Sequence, residues 1–155
     1  MVYNPSSNMK LGSGLFSVER FSGVNVCLGT DGPVSNNALD MFQEMKAAAL
    51  LQKLQGRELA AERVLEMATQ NAYGLFGLDV SLKEGATADF ILLDARSPAL
   101  TPMHSLASNL VYAANGGMVT DAVCDGKIVM TERRVPGEEE VLERAAAQAA
   151  EWVGR

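Results

Sequence analysis

One aspartate is placed in this sequence where an enzyme could use it. An apolar run over residues 24–28 is led by Gly23 and broken by Gly29, and Asp31 follows two residues later. A polar loop and a long helical pattern come next. Strand, acid, loop and helix in this order are how α/β barrels and open α/β sheets present catalytic groups. A carboxylate there could bind a divalent metal or take a proton from metal-bound water. The order Thr-Asp-Gly is also common in plain turns, so both interpretations stay open.

Two polar segments could hold a substrate near Asp31. The first spans residues 4–8, after the possible tail of a strand at 1–3, and the second spans residues 35–37. Their candidate binding side chains are Asn4, Ser7, Asn8, Ser35 and Asn36. The same residue types serve as turn formers and helix caps, which is the simpler interpretation from composition alone. Segment 4–8 is predicted to be a loop, because Asn, Pro and Ser are dense in it.

Ligands for a metal are otherwise scarce. A zinc site needs three or four ligands, and the sequence holds one histidine, His104, with no His-x-His or Cys-x-x-Cys pair. His104 follows Pro102 in a polar stretch and is predicted to be a surface residue. The two cysteines, Cys27 and Cys124, lie in apolar runs and make no disulfide framework. They favour a reducing, cytoplasmic setting.

Composition limits the possible partners. The 155 residues carry a formal net charge of −6, with no cluster of Lys and Arg, so no nucleic-acid partner is expected. No apolar run approaches the ~18–20 residues that a membrane span needs. The chain is long enough for one domain, or for a piece of a larger one.

Periodicity predicts a βα-type section over residues 1–77 and a β-rich section with a closing helix over 78–155. Helices are predicted at 16–21, 37–54, 59–76 (with a break near 69–71) and 138–153, and strands at 1–3, 24–28, 90–93, 119–124 and 127–130. Asn37 is expected to cap the second helix. Asp125-Gly126 predicts a type I′ hairpin between the last two strands. The inner stripe of the closing helix is predicted to be Leu142, Ala145, Ala149 and Trp152.

Several motifs resemble the amidohydrolase superfamily, and more narrowly its 5-methylthioadenosine/S-adenosylhomocysteine deaminases and related chlorohydrolases. These motifs are N-P-S-S-N-M-K-L-G-S-G at 4–14, G-V-N-V-C-L-G-T-D-G at 23–32, S-N-N-x-L-D-M-F-Q-E-M-K at 35–46, M-A-T-Q-N-A at 67–72, G-A-T-A-D-F-I-L-L-D at 85–94, S-N-L-V-Y-A-A at 108–114 and V-C-D-G-K-I-V at 123–129. The resemblance runs over essentially the whole chain.

The resemblance implies a fold and a site. The fold is the C-terminal part of a TIM-like (β/α)8 barrel, contributing its last two βα units, followed by part of a small β-sandwich and a closing helix. Asp31 would be the acid after the last barrel strand, a metal ligand that also handles the proton of the attacking water. Asn4, Ser7, Asn8, Ser35 and Asn36 would support a purine nucleoside-type substrate. The intact enzyme would use a divalent metal, with zinc expected.

Departures from the family pattern limit what this chain is expected to do alone. The family's His-x-His pair, its mid-barrel histidines and its catalytic glutamate have no counterpart, and Tyr3 stands where relatives often have histidine. Weak zinc binding and incomplete catalysis are therefore expected. Leaving several hundred Å² of apolar surface exposed to water, where the missing barrel elements would cover it, would cost roughly 10 kcal/mol. This cost predicts self-association or an N-terminal partner chain. The alternative is a non-catalytic oligomerising or binding module left by truncation, so whether this chain is an enzyme stays open.

Overall fold

The computed structural model describes residues 1–153 of the 155-residue chain. The helices are α1 (Pro5–Lys10), α2 (Met41–Leu54), α3 (Ala61–Ala68), α4 (Gln70–Leu75), α5 (Leu106–Tyr112) and α6 (Glu138–Val153). The strands are β1 (Val2–Tyr3), β2 (Cys27–Leu28), β3 (Phe90–Leu93), β4 (Val119–Cys124) and β5 (Lys127–Met130). The chain thus has the α/β character expected from its sequence.

A short parallel sheet lies against the main helical core. β1 pairs with β2 in parallel, with Val2 opposite Cys27 and Tyr3 opposite Leu28. Both residues of β2 are buried, and α2 and α3 pack beside it. Ala48 and Ala49 of α2 are fully buried, because their small side chains let neighbouring elements approach closely. Because β1 and β2 run in the same direction, their carboxyl ends meet at one edge of this core.

A separate antiparallel sheet is formed by the later strands in the order β3-β4-β5. Its hairpin turns at Asp125 and Gly126, whose φ angles of 49° and 72° are both positive. Two positive φ angles are what a type I′ turn requires, so the predicted hairpin is confirmed. Phe90 and Ile91 of β3 and Ile128 of β5 are exposed, and this sheet therefore leaves apolar side chains in water.

The predicted loop over residues 4–8 is wrong, because α1 begins there. Pro5 occupies the first helical turn, where its fixed φ suits a helix and its missing N–H costs nothing. The cap of α2 is also corrected: Asp40, not Asn37, is the N-cap, and its Oδ1 accepts a hydrogen bond from Phe42 N at 2.9 Å. The predicted helix at 16–21 is only a 3-10 turn over Glu19–Phe21.

Strand and helix ends differ from the sequence prediction in other places. The predicted strand over 24–28 is reduced to β2, since Val24 is exposed and forms no ladder. The predicted break in the 59–76 helix is confirmed at Thr69, which lies between α3 and α4 with φ −131° and ψ −93°. The inner stripe of α6 is wrong, because none of its described residues is buried.

The division of the chain at residue 77 stays a prediction. Val111 of α5 lies in the same buried cluster as β2, α2 and α3, so the later section contributes to the core of the earlier one. Asp40 also reaches across, accepting a hydrogen bond from Gly116 N at 3.0 Å. Among residues 1–153, no helix combines the length and the apolar character that crossing a bilayer demands.

Candidate functional site

The side chain of Asp31 is the centre of a small hydrogen-bonded cluster. Its Oδ2 accepts hydrogen bonds from Ser7 Oγ at 2.6 Å and from Ser35 Oγ at 2.8 Å, while its Oδ1 accepts one from Gly32 N at 2.8 Å. These hydrogen bonds, that of Ser7 first, hold the pKa of the Asp31 carboxyl below its usual range. Because its pKa is lowered and the residue is exposed, Asp31 is an ionised carboxylate that solvent can reach at neutral pH.

Parallel pairing brings this cluster together from distant parts of the sequence. Ser7 lies on α1, which follows β1, and Asp31 follows β2. Because β1 and β2 run in the same direction, both connections leave the sheet at the same edge. Asp31 has a left-handed backbone with φ 60°, a region that Asp tolerates better than most residues and that recurs at functional sites.

The hydrogen bonds leave part of the Asp31 carboxylate free. A carboxylate has about four acceptor positions on its two oxygens. Oδ2 uses two of them on Ser7 and Ser35, and Oδ1 uses one on Gly32. One acceptor position therefore remains, on Oδ1, and it can take one cation or one proton.

Asn4 lies at the sheet edge beside Gly29. A Cβ added at Gly29 would stand 2.5 Å from Asn4 Oδ1 and 2.8 Å from Val2 Cγ1, so a side chain at position 29 would displace these two side chains. Asn4 Oδ1 is buried and has no hydrogen-bond donor within residues 1–153. Asn4 is thus placed at the base of the site, packed on the chain just ahead of Asp31.

Asn36 and Asn8 are placed differently from one another. Asn36 is buried, and its Nδ2 donates to Thr30 O at 2.8 Å and to Glu44 Oε1 at 2.7 Å. Both amide hydrogens are used inside the protein, so Asn36 braces the loop rather than facing a ligand. Asn8 is half-buried on α1, and its side chain forms no hydrogen bond with residues 1–153, which leaves it available.

Two residues at the site were missed by sequence reasoning. Glu44 of α2 is fully buried and bonds to Asn36 and to Ser6 N, the latter at 3.0 Å. Lys10 of α1 donates from Nζ to Val34 O at 2.8 Å and to Asn37 Oδ1 at 2.6 Å. A signal for Glu44 did exist: it stands four residues before Ala48, on the apolar stripe of α2, where a charge needs a partner.

The side chains of residues 1–153 do not by themselves fit a zinc site. Within residues 1–153, no group of three or more His, Cys, Asp and Glu side chains could hold a metal ion. His104 is exposed, as expected, and belongs to no such group. Asp31 can supply one oxygen ligand, whereas zinc sites take three or four. Both cysteines are free, with Cys27 buried and Cys124 exposed.

An acid at the carboxyl edge of parallel strands, braced by the following loop, is the site arrangement of α/β enzymes. Comparison with known proteins narrows this class. The model of the Amidohydrolase family matches residues 1–129, and the chain belongs to that family.

Curated relatives match nearly the whole chain. It is 50% identical over 160 aligned positions to a 5'-deoxyadenosine deaminase from Methanoregula boonei, covering 99% of this chain and 36% of the relative. It is 51% identical over 136 positions to a 5-methylthioadenosine/S-adenosylhomocysteine deaminase from Thermococcus sibiricus, covering 84% of this chain and 32% of the relative. The chain therefore spans about a third of the length of these relatives.

Solved structures share the fold. An adenosine deaminase from Xanthomonas campestris with bound zinc superposes with a TM-score of 0.88 at 33% identity, covering 98% of this chain and 37% of that one. An atrazine chlorohydrolase from Arthrobacter aurescens complexed with zinc gives a TM-score of 0.84 at 21% identity, covering 94% and 35%. The second likeness shows the fold alone.

Proposed function

We propose that this chain is the C-terminal part of a metal-dependent amidohydrolase that deaminates an adenosine-like purine. The observation that carries the proposal is the Asp31 cluster, which stands at the carboxyl edge of β1 and β2 in a chain 50% identical to a 5'-deoxyadenosine deaminase. The fold we propose is the last two βα units of a TIM-like barrel over residues 1–77, then part of a β-sandwich and a closing helix over 78–155.

The proposed reaction is hydrolytic. Water attacks the ring carbon that bears the exocyclic amine, a C–O bond forms, the C–N bond breaks and ammonia leaves. One water proton must be removed as the C–O bond forms, and the nitrogen must gain protons before it leaves. Asp31 is the proposed acceptor of the water proton on Oδ2, where one of the two serine hydroxyls turns away, which leaves the free position on Oδ1 for a cation. Until that transfer Ser7 and Ser35 hold Oδ2, so the carboxylate stays ionised and oriented.

Asp31 is also proposed to supply one ligand of a divalent metal ion, zinc by analogy with the zinc-bound relatives. The remaining ligands would come from a polypeptide outside this chain, since residues 1–153 hold no group of three candidate ligands. In that setting Asn8 and the Ser35 hydroxyl are proposed to contact the substrate, while Asn4 and Asn36 support the site from below. By itself the chain is proposed to be catalytically incomplete.

Exposed apolar side chains support the proposal that this chain binds a second polypeptide, either an N-terminal partner or another copy of itself. Leu82 is 89% exposed, Ile128 71% and Trp152 77%, and they lie in three separate parts of the later section. Burying such surface gains roughly 25 cal/mol per Å², so the chain is expected to associate. A cytoplasmic location is proposed as well, because the exposed thiol of Cys124 suits a reducing compartment.

Complementation tests this proposal. The chain is mixed with a polypeptide carrying the remaining part of the Methanoregula boonei relative, with zinc, and ammonia release from 5'-deoxyadenosine is measured. Activity is expected from the mixture and not from either part. Asp31→Asn should abolish it, whereas Asp125→Asn, in the hairpin turn, should not.

Two results would contradict the proposal. Turnover by the chain alone would show that its catalytic machinery is complete. A stable complex that holds zinc but is inactive on adenosine-type substrates would favour the alternative, a non-catalytic binding module.

A further inference from the structure

A buried carboxylate on α2 has no place in the proposed reaction. Glu44 has no exposed surface, and no Lys, Arg or His side chain among residues 1–153 forms an ion pair with it. Its Oε2 accepts a hydrogen bond from Ser6 N at 3.0 Å, and its Oε1 accepts one from Asn36 Nδ2 at 2.7 Å. Burying a carboxylate on two neutral donors is costly, so a well-packed apolar residue would serve stability better.

The two partners of Glu44 are adjacent in sequence to the two hydroxyl donors of Asp31. Ser6 precedes Ser7, and Asn36 follows Ser35. One oxygen of Glu44 thus holds the start of α1, while the other holds the loop after β2. These two segments meet again at Asp31 Oδ2, where both hydroxyls donate.

We propose that Glu44 is a positioning residue: it holds α1 and the 30–36 loop at the separation that lets Ser7 and Ser35 share Asp31 Oδ2. The free position on Asp31 Oδ1 then stays accessible to solvent, since Asp31 is exposed. The use of that position in catalysis rests on the proposed function, whereas the positioning itself does not.

Lys10 provides a useful comparison, because it joins the same two segments from outside. Its ammonium group donates to Val34 O and Asn37 Oδ1, and the side chain is exposed. An exposed, flexible lysine is screened by water and fixes geometry weakly. Glu44 is short, buried and bonded on both oxygens, so it constrains the distance between the segments more tightly.

Glutamine at position 44 is a near-isosteric test. Ser6 N and Asn36 Nδ2 both donate, so Glu44 must accept twice. Glutamine offers one acceptor oxygen and one amide nitrogen, which would face a donor on one side. Glu44→Gln should therefore release one of the two segments while keeping the volume of the side chain.

Whether the Asp31 pKa rises or falls in Glu44→Gln distinguishes a positioning role of Glu44 from a direct effect of its charge. Removing a nearby negative charge, by itself, lowers the pKa of a carboxyl. Loss of hydroxyl donors raises it, because those hydrogen bonds stabilise the ionised form. A rise in the Asp31 pKa in Glu44→Gln is thus the signature of displaced Ser7 or Ser35, and a charge effect would give the opposite sign.

The experiment is a pH titration of the ¹³C-labelled chain by NMR, following the Asp31 carboxyl carbon and the Asn36 side-chain amide. Ser7→Ala sets the scale for loss of one donor. We expect Glu44→Gln to raise the Asp31 pKa, as Ser7→Ala does, and to move the Asn36 resonances. Glu66→Gln, an exposed carboxylate on α3 paired with Arg63, should change neither.

The inference is overturned if Glu44→Gln moves the Asn36 resonances but leaves the Asp31 pKa unchanged or lowers it. Should Glu44→Gln unfold the chain, Glu44→Met replaces it, because a buried apolar side chain of similar length removes both hydrogen bonds of Glu44 and leaves the bond from Asn36 Nδ2 to Thr30 O in place. A higher Asp31 pKa in Glu44→Met then supports the inference, and an unchanged or lower one refutes it. No turnover is measured, so failure of the proposed deaminase activity would leave this result standing.

Discussion

Adding one methyl group at Gly29 should disturb both the sheet edge and the site. The Cβ of Gly29→Ala would stand 2.5 Å from Asn4 Oδ1 and 2.8 Å from Val2 Cγ1. Both distances are well inside van der Waals contact. Both atoms belong to side chains, one at the N-cap of α1 and one in β1, so relief requires these side chains to turn away or β1 and α1 to shift from β2.

The loss of stability expected for Gly29→Ala follows from these contacts. Overpacking of this kind typically costs about 1–3 kcal/mol. In a chain of this length, 2 kcal/mol corresponds to a fall of about 4–8 °C in Tm. If α1 shifts, Ser7 moves with it, so its hydrogen bond to Asp31 should lengthen and the Asp31 carboxyl pKa should rise towards its ordinary value.

Gly32→Ala is the matched control, because a Cβ at Gly32 meets no atom within 4 Å and its φ is not positive. Thermal unfolding of the three proteins is followed by circular dichroism at one protein concentration. We expect Gly29→Ala to melt well below the wild type, with Gly32→Ala close to it. Equal Tm values for Gly29→Ala and Gly32→Ala would refute the close packing of Asn4 on Gly29.

Three further expectations follow from other contacts. Asp40→Ala removes the cap of α2 and the acceptor of Gly116 N, so the free energy of unfolding should fall by about 1–2 kcal/mol in urea titrations, and no loss would contradict the cap. Because folding lowers the Asp31 pKa, the stability that the Ser7 hydrogen bond contributes should be fully present above the ordinary carboxyl pKa and should disappear as the pH falls through the pKa of the folded state. If the wild type kept a higher free energy of unfolding than Ser7→Ala in strong acid, this linkage would be contradicted. Light scattering should show association of the chain, reduced in Trp152→Glu, and a stable monomer would count against the exposed apolar surface as an interface.

The sequence predicted the elements whose signals are local. Asp125-Gly126 determined its own hairpin, because a two-residue turn with two positive φ angles needs these residues. Thr69 ended α3 where the pattern indicated a break. The prediction of Asn37 as the cap was wrong because residue type alone suggested it, whereas Asp40 is the residue whose side chain accepts the hydrogen bond from Phe42 N. The stripe of α6 was misread, since periodicity identifies an apolar face but does not say what covers it.

The position of Asp31 beside Ser7 and Ser35 was predictable and the contacts of Asn36 were not, while the catalytic role of Asp31 stays a prediction. Asp31 could be chosen from its place after an apolar run, and the parallel pairing of β1 and β2 brought Ser7 to it as proximity of strand ends implies. Asn36 was identified as polar and near, but its burial depends on Glu44, which lies on another element. Contacts between side chains of different elements are set by tertiary packing, and one sequence does not encode them in any local pattern.

Zinc retention tests the central proposal most directly, namely that this chain carries one ligand of a site that another polypeptide completes. The chain, and its complex with the remaining part of the Methanoregula boonei relative, are loaded with zinc, desalted and analysed for metal. The complex should keep one zinc, lose it in Asp31→Asn, and the chain alone should keep much less than one. One tightly held zinc on the monomeric chain, unaffected by Asp31→Asn, would contradict the account.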